Sequence, residues 1–154
     1  MTTRSRTMTT RRLLVLASLA AITTLSFAVQ SVDAQYRSDV RLSARLVPTS
    51  ADPRASGDAQ FQSQTNRDST VQRQFDVKVQ DVSSADSVRV LVNGVQVGPV
   101  VKIGGYRRDG ELKLDTNNGD TVPAMKAGDV VQVVNAANGT LILQGTLQEG
   151  RRSR

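Results

Sequence analysis

The chain has 154 residues, 20 Lys and Arg against 14 Asp and Glu, and contains no Cys, His or Trp. That length suits one domain. Without imidazole or thiolate, the sequence excludes Ser-His-Asp and Cys-His hydrolases, His- or Cys-ligated zinc, His- or Cys-held haem, and disulfides.

Residues 1–34 read as a secretion signal: a basic stretch ending in Arg11-Arg12, an apolar run from Leu13 to Ile22, then small residues that permit cleavage after Ala34 or, alternatively, after Ala28. The apolar run is well short of the ~20 residues that a membrane span needs, so no stable membrane insertion is expected after cleavage. Arg11-Arg12 also resembles a twin-arginine signal, although the general secretory route requires less. Once this segment and the terminal Arg151, Arg152 and Arg154 are set aside, residues 35–150 carry 13 basic and 13 acidic side chains. The high isoelectric point therefore comes from the two ends, and a nucleic-acid footprint, which needs clustered basic charge, is not expected.

After a flexible start at 35–39, apolar residues recur with period two and turn residues interrupt them every eight to twelve positions. This pattern predicts an all-β domain over 40–148, an antiparallel β-sandwich or small barrel of about eight or nine short strands. Leu42, Ala44 and Leu46 mark a first strand ending at Pro48. Thr49 to Asp58 reads as a loop, with Asp52-Pro53 and Ser56-Gly57 as turn chemistry, followed by a short strand at Ala59, Phe61 and Ser63. The clearest strand runs from Thr70 to Gln80, with Val71, Phe75, Val77 and Val79 on one face and Arg73 interrupting it near one end. Phe61 and Phe75 are expected near the centre of the core.

Val88 to Val92, Asn93-Gly94 and Val95 to Val97 predict a two-residue hairpin with a type I′ turn. Val100 to Ile103 re-enters the sheet, and Leu112 and Leu114 point inward from the strand that follows. Val130 to Val134 and Thr140 to Leu147 form the last pair around Asn138-Gly139, with Gly145 marking a bulge or a close backbone approach. Asn138-Gly139-Thr140 also matches a glycosylation sequon, which a hairpin explains equally. Residues 149–154 read as a basic disordered tail.

Two segments offer binding chemistry. Tyr106-Arg107-Arg108, between Gly104-Gly105 and Asp109-Gly110, places an aromatic and two guanidinium groups on a hairpin tip, the composition that binding hot spots favour. Asp115, Asn117 and Asp120 supply oxygen ligands of the kind Ca²⁺ takes, but the glycine is displaced by one position and no Glu follows at twelve, so plain turn chemistry is the simpler reading. Glycosidase-type carboxylate pairs are poorly served, with Glu111 and Glu149 the only glutamates. No catalytic residue and no cofactor is assigned.

Several stretches carry a family resemblance: Asp52-Pro53-x-Ala55-Ser56-Gly57-x-Ala59-x-Phe61, Val92-Asn93-Gly94-x-x-Val97-Gly98, Leu112-x-Leu114-Asp115, and Gly119-Asp120-x-Val122-Pro123 before Ala127-Gly128-Asp129-x-Val131. On these the chain from Leu46 to Leu147 resembles a small domain of secreted bacterial proteins of unknown function. Through Ser56-Gly57-x-Ala59-x-Phe61 it is more distantly similar to chordin-type (CHRD) domains. The resemblance implies a secreted β module and no catalytic residue. The His-containing segment common in chordin-type domains has no counterpart here. The expectation is thus a secreted, non-enzymatic module of the bacterial periplasm, cell surface or exterior with an unidentified envelope or extracellular partner. The alternative is a domain that binds envelope polysaccharide or polyanion through Tyr106, Arg107 and Arg108.

Overall fold

A computed structural model describes residues 39–150. Their regular elements are the strands β1 (Val40–Pro48), β2 (Ser56–Thr65), β3 (Val71–Gln80), β4 (Ser87–Val92), β5 (Val95–Gln96), β6 (Val101–Lys102), β7 (Gly110–Asp115), β8 (Val130–Asn135), β9 (Leu141–Thr146) and β10 (Gln148–Glu149), with one 3-10 turn at Thr116–Asn118. The proposed signal segment with its cleavage positions, and residues 151–154, lie outside the described residues. No helix among the described residues is long and apolar enough to cross a membrane.

The expectation of an all-β, antiparallel domain holds. The strands form one curled sheet, a half-barrel, in the order β5-β4-β8-β9-β1-β2-β3-β7, with β6 also on β4 and β10 also on β1. Strand β1 joins the two halves: Val40 to Leu46 pair with β2, while Val47 and Pro48 pair with Gln144 and Leu143 of β9. Hydrogen bonding therefore continues around the curl.

Alternation along each strand fills the inside of that curl. Leu42, Ala44 and Leu46 of β1, Phe75, Val77 and Val79 of β3, and Val88, Val90 and Val92 of β4 are all buried in one cluster with Val131, Val133, Ile142 and Leu143. Phe61 and Phe75 face each other directly across β2 and β3 and are 3% and 0% exposed. The apolar face of β3 begins at Phe75 rather than at Val71, which is 43% exposed where the strand leaves the core.

Two glycines are placed by close backbone approach rather than by turns. Strand β2 starts at Ser56, inside the segment expected to be loop, and Gly57 pairs with both Leu46 and Val79. A side chain there would put its Cβ 2.6 Å from the Lys78 carbonyl oxygen, so Ser56-Gly57 is a strand crossing and not turn chemistry. Gly145 is the closer case, with a Cβ position 2.5 Å from the Arg45 carbonyl oxygen, while the sheet's register shift falls at Val133/Val134. Backbone cannot rotate aside as a flexible side chain can. Gly145→Ala should therefore destabilise the domain by about 1–3 kcal/mol, read as a lower urea midpoint at unchanged m value.

The turns follow the sequence more closely. Asn93 and Gly94 have φ of 50° and 82°, as a type I′ hairpin requires. Gly139 has φ of 75°, and the Asn138 side chain accepts a hydrogen bond from the Thr140 amide at 3.0 Å, closing the β8–β9 turn. Residues 149 and 150, expected to belong to the tail, lie on the sheet: Glu149 pairs with Leu42, and the Gly150 amide donates to the Arg41 carbonyl at 2.9 Å. Buried Leu147 anchors this return, which is why the chain stays on the sheet through residue 150.

Candidate functional site

The loop between β6 and β7 is pinched at its base, where Gly104 and Asp109 exchange backbone hydrogen bonds of 3.0 and 2.8 Å. Gly105 and Arg108 both take positive φ, 73° and 50°, which turns the chain sharply enough to separate the three residues expected to act together. Tyr106 and Arg107 face solvent. Arg108 points back into the protein.

One edge of the Arg108 guanidinium is bound there. Its Nε donates to the Val82 carbonyl at 2.6 Å, and its Nη2 donates to the Ala85 carbonyl at 2.8 Å and pairs with Asp86 Oδ1 at 3.0 Å. The backbone reinforces this clamp, since Asp81 and Val82 amides donate to the Arg107 and Arg108 carbonyls. Arg108 thus positions the tip against the β3–β4 loop; it is a brace, with its Nε and Nη2 donors engaged.

A second brace fixes the β3–β4 loop from the other side. Asp52 is 1% exposed and accepts from the Ser83 amide at 2.6 Å, the Ser83 hydroxyl at 2.8 Å and the Ser84 amide at 2.8 Å. Burial alone would push this carboxyl up, but the bonds from Ser84 and Ser83 outweigh it and hold the group below the ordinary carboxylate range. Three loops are thereby locked at one end of the half-barrel.

Between them lies an open cleft of about 440 Å³ lined by Arg54, Asp81, Ser83, Tyr106, Arg107 and Arg108. Ion pairs among the described residues join Lys78 to Glu111 and Arg108 to Asp86; neither Arg54 nor Arg107 makes one, and Asp81 is the one carboxylate lining the cleft. Tyr106 stands beside them fully exposed. Two free planar cations and an aromatic ring on a rigid support can take a bidentate oxyanion and a flat or apolar moiety next to it. Arg54 was not singled out from sequence; only its place next to Asp52-Pro53 hinted that this loop would be held in one shape.

The oxygen ligands proposed for Ca²⁺ are brought together differently. Asp115 Oδ1 accepts from the Asn117 amide at 2.8 Å, its Oδ2 accepts from Gln74 Nε2 at 2.8 Å, and Asp120 Oδ2 accepts from the Asp115 amide at 3.0 Å. These carboxylates cap a 3-10 turn that ends at Gly119 with φ of 86°. Among the described residues no group of three or more His, Cys, Asp or Glu is arranged to hold a metal ion.

A last polar cluster, also missed from sequence, secures the opposite loops. Asn93 donates from Nδ2 to Asp129 Oδ1 at 3.0 Å and accepts from the Val130 amide at 2.9 Å, while Asp129 Oδ2 accepts from the Lys126 amide at 2.9 Å. The Asn93 and Lys126 bonds hold the Asp129 carboxyl below its ordinary range. Asn93 therefore serves both the hairpin turn and its docking. No protein-family model and no curated protein matches the chain, so the cleft is read from its own geometry.

Proposed function

We propose that this chain is a secreted, non-enzymatic interaction module that binds an anionic component of the bacterial envelope or exterior, its curled sheet acting as a sandwich-like scaffold. The carrying observation is that Arg54 and Arg107, neither of them in an ion pair, line one cleft with exposed Tyr106 and outnumber its single carboxylate, Asp81, on loops braced by Arg108 and Asp52. The buried carboxylates Asp52 and Asp129 are engaged in holding loops, which supports a scaffold rather than proton transfer. The sequence reading of residues 1–34 as a signal supports the compartment.

The test uses dextran sulfate as the polyanion and neutral dextran as its control. The protein should be retained on dextran sulfate and released by salt, as an interaction between exposed charges must be. Arg54→Ala with Arg107→Ala should weaken retention at least about tenfold, equivalent to roughly 1.4 kcal/mol, with an unchanged circular dichroism spectrum. The terminal arginines are present in both proteins, so the difference reads the cleft. Equal retention of the double variant would remove this assignment.

A further inference from the structure

The cleft holds one group that a simple anion would not use. Asp81 follows directly on β3, is exposed, and has φ of 56°. Few residues with a side chain adopt that left-handed conformation readily, and aspartate and asparagine are among them. The Asp81 amide donates to the Arg107 carbonyl at 3.0 Å, which ties its backbone to the loop tip. Its carboxylate, by contrast, accepts no hydrogen bond and makes no ion pair among the described residues, although Arg54 and Arg107 line the same cleft. The neighbouring carboxylates are occupied: Asp52 by Ser83 and Ser84, and Asp86 by Arg108.

Both signs of charge therefore stand in one cleft without being paired to each other. A ligand that is only anionic gains from Arg54 and Arg107 and is repelled by Asp81. One that is only cationic meets two guanidiniums. A ligand with an anionic and a cationic end engages all three, and the exposed Tyr106 ring beside them covers whatever joins the two ends. The bracing of the three loops by Arg108 and Asp52 keeps these groups in a fixed relation, so little ordering is left for the ligand to impose.

Resting on the reading of this cleft as an anion site, we infer that its ligand is a phosphate ester carrying a primary ammonium on a short carbon chain, as in a phosphoethanolamine group. One guanidinium fork takes up both oxygens of a carboxylate, whereas the oxygens of a tetrahedral phosphate point in different directions and can meet Arg54 and Arg107 together. A primary ammonium brings N–H donors, which the free Asp81 carboxylate can accept. A quaternary ammonium has no such donor and is held by a cage of aromatic faces, and Tyr106 is the one aromatic residue lining the cleft. A lipid headgroup and a substituent on an envelope glycan both present this chemistry.

The experiment titrates isotope-labelled protein with three soluble phosphodiesters that differ only in the group beyond the phosphate: glycerophosphoethanolamine, glycerophosphocholine and glycerophosphoglycerol. Read from the amide signals of the cleft loops, the ethanolamine ester should bind saturably below about 10 mM and at least about fivefold more tightly than the other two. Asp81→Asn should abolish that preference and leave the circular dichroism spectrum unchanged, because asparagine accepts the same backbone conformation. Its retention on dextran sulfate should equal or exceed that of wild type, since one repelling charge is gone. Vesicles of phosphatidylcholine with and without phosphatidylethanolamine identify the source: binding that requires the second lipid assigns the group to a headgroup, binding to the soluble ester alone assigns it to a glycan, and either supports the ligand class. No binding of the ethanolamine ester, equal binding of all three, or a preference that survives Asp81→Asn would overturn the ligand assignment while arginine-dependent retention on dextran sulfate still upholds the anion site. Retention that does not depend on Arg54 and Arg107 would remove the anion site and this ligand with it.

Discussion

Phe75→Ala should lower the unfolding free energy by about 3–5 kcal/mol, enough to remove a large part of the stability of a domain this size. The ring is fully buried and lies directly opposite Phe61, so truncation deletes apolar area and also leaves a void beside the other phenylalanine. The backbone there cannot close the gap. Phe75 sits in the middle of β3, which pairs with β2 on one side and β7 on the other, and both ladders fix its main chain. Phe75→Leu should recover a substantial share of the loss, because most of the volume returns. Urea unfolding monitored by circular dichroism gives both values. A cost below about 1 kcal/mol for the alanine variant would mean that the ring does not fill the centre of the curl.

Much of this core was legible because a strand with one wet face writes its burial into alternate residues. Leu42-x-Ala44-x-Leu46, Phe75-x-Val77-x-Val79 and Leu112-x-Leu114 all point inward as their spacing requires. Asn93-Gly94 was legible for a stereochemical reason, since few residue pairs accept positive φ twice. Ser56-Gly57 misled for the converse reason. A glycine that permits a turn and a glycine that permits two strands to touch are identical in sequence, and only the Lys78 carbonyl, contributed 21 residues later, distinguishes them. The joining of both halves through β1 was equally hidden, because it depends on which strand returns to pair with Val47 and Pro48.

The candidate site shows the same division. Tyr106 and Arg107 are as exposed as a glycine-flanked tip implies, but Arg108 is indistinguishable from Arg107 in sequence and is turned inward by its φ of 50°. Its partners Val82, Ala85 and Asp86 belong to a loop more than 20 residues away. Arg54 joins the cleft only because Asp52 ties its loop to Ser83 and Ser84. Short-range steric rules were readable; pairings between distant loops were not.

Asp52→Asn should cost about 3 kcal/mol at neutral pH, the second large effect in the domain. The carboxylate takes three hydrogen bonds from Ser83 and Ser84 in a site closed to water. An amide of the same shape has one oxygen with which to accept, and its nitrogen is brought against a donor. The charge also gives the loss a pH signature. Because the folded state holds the Asp52 carboxyl below its ordinary value, the unfolded chain binds the proton first on acidification. The stabilisation is complete above the unfolded value of about 3.9 and is lost as pH falls through the lower folded value. Asp129, shifted in the same direction, weakens both proteins alike over that range, and Asp76, pushed upward by burial, acts in the opposite sense in both. The gap in unfolding free energy between wild type and Asp52→Asn should therefore be widest near neutrality and narrow steadily below about pH 4, as measured by urea titrations across that range. A gap that stays constant into acid would show that shape, and not ionisation, is what Asp52 contributes to the end of the half-barrel that carries the cleft.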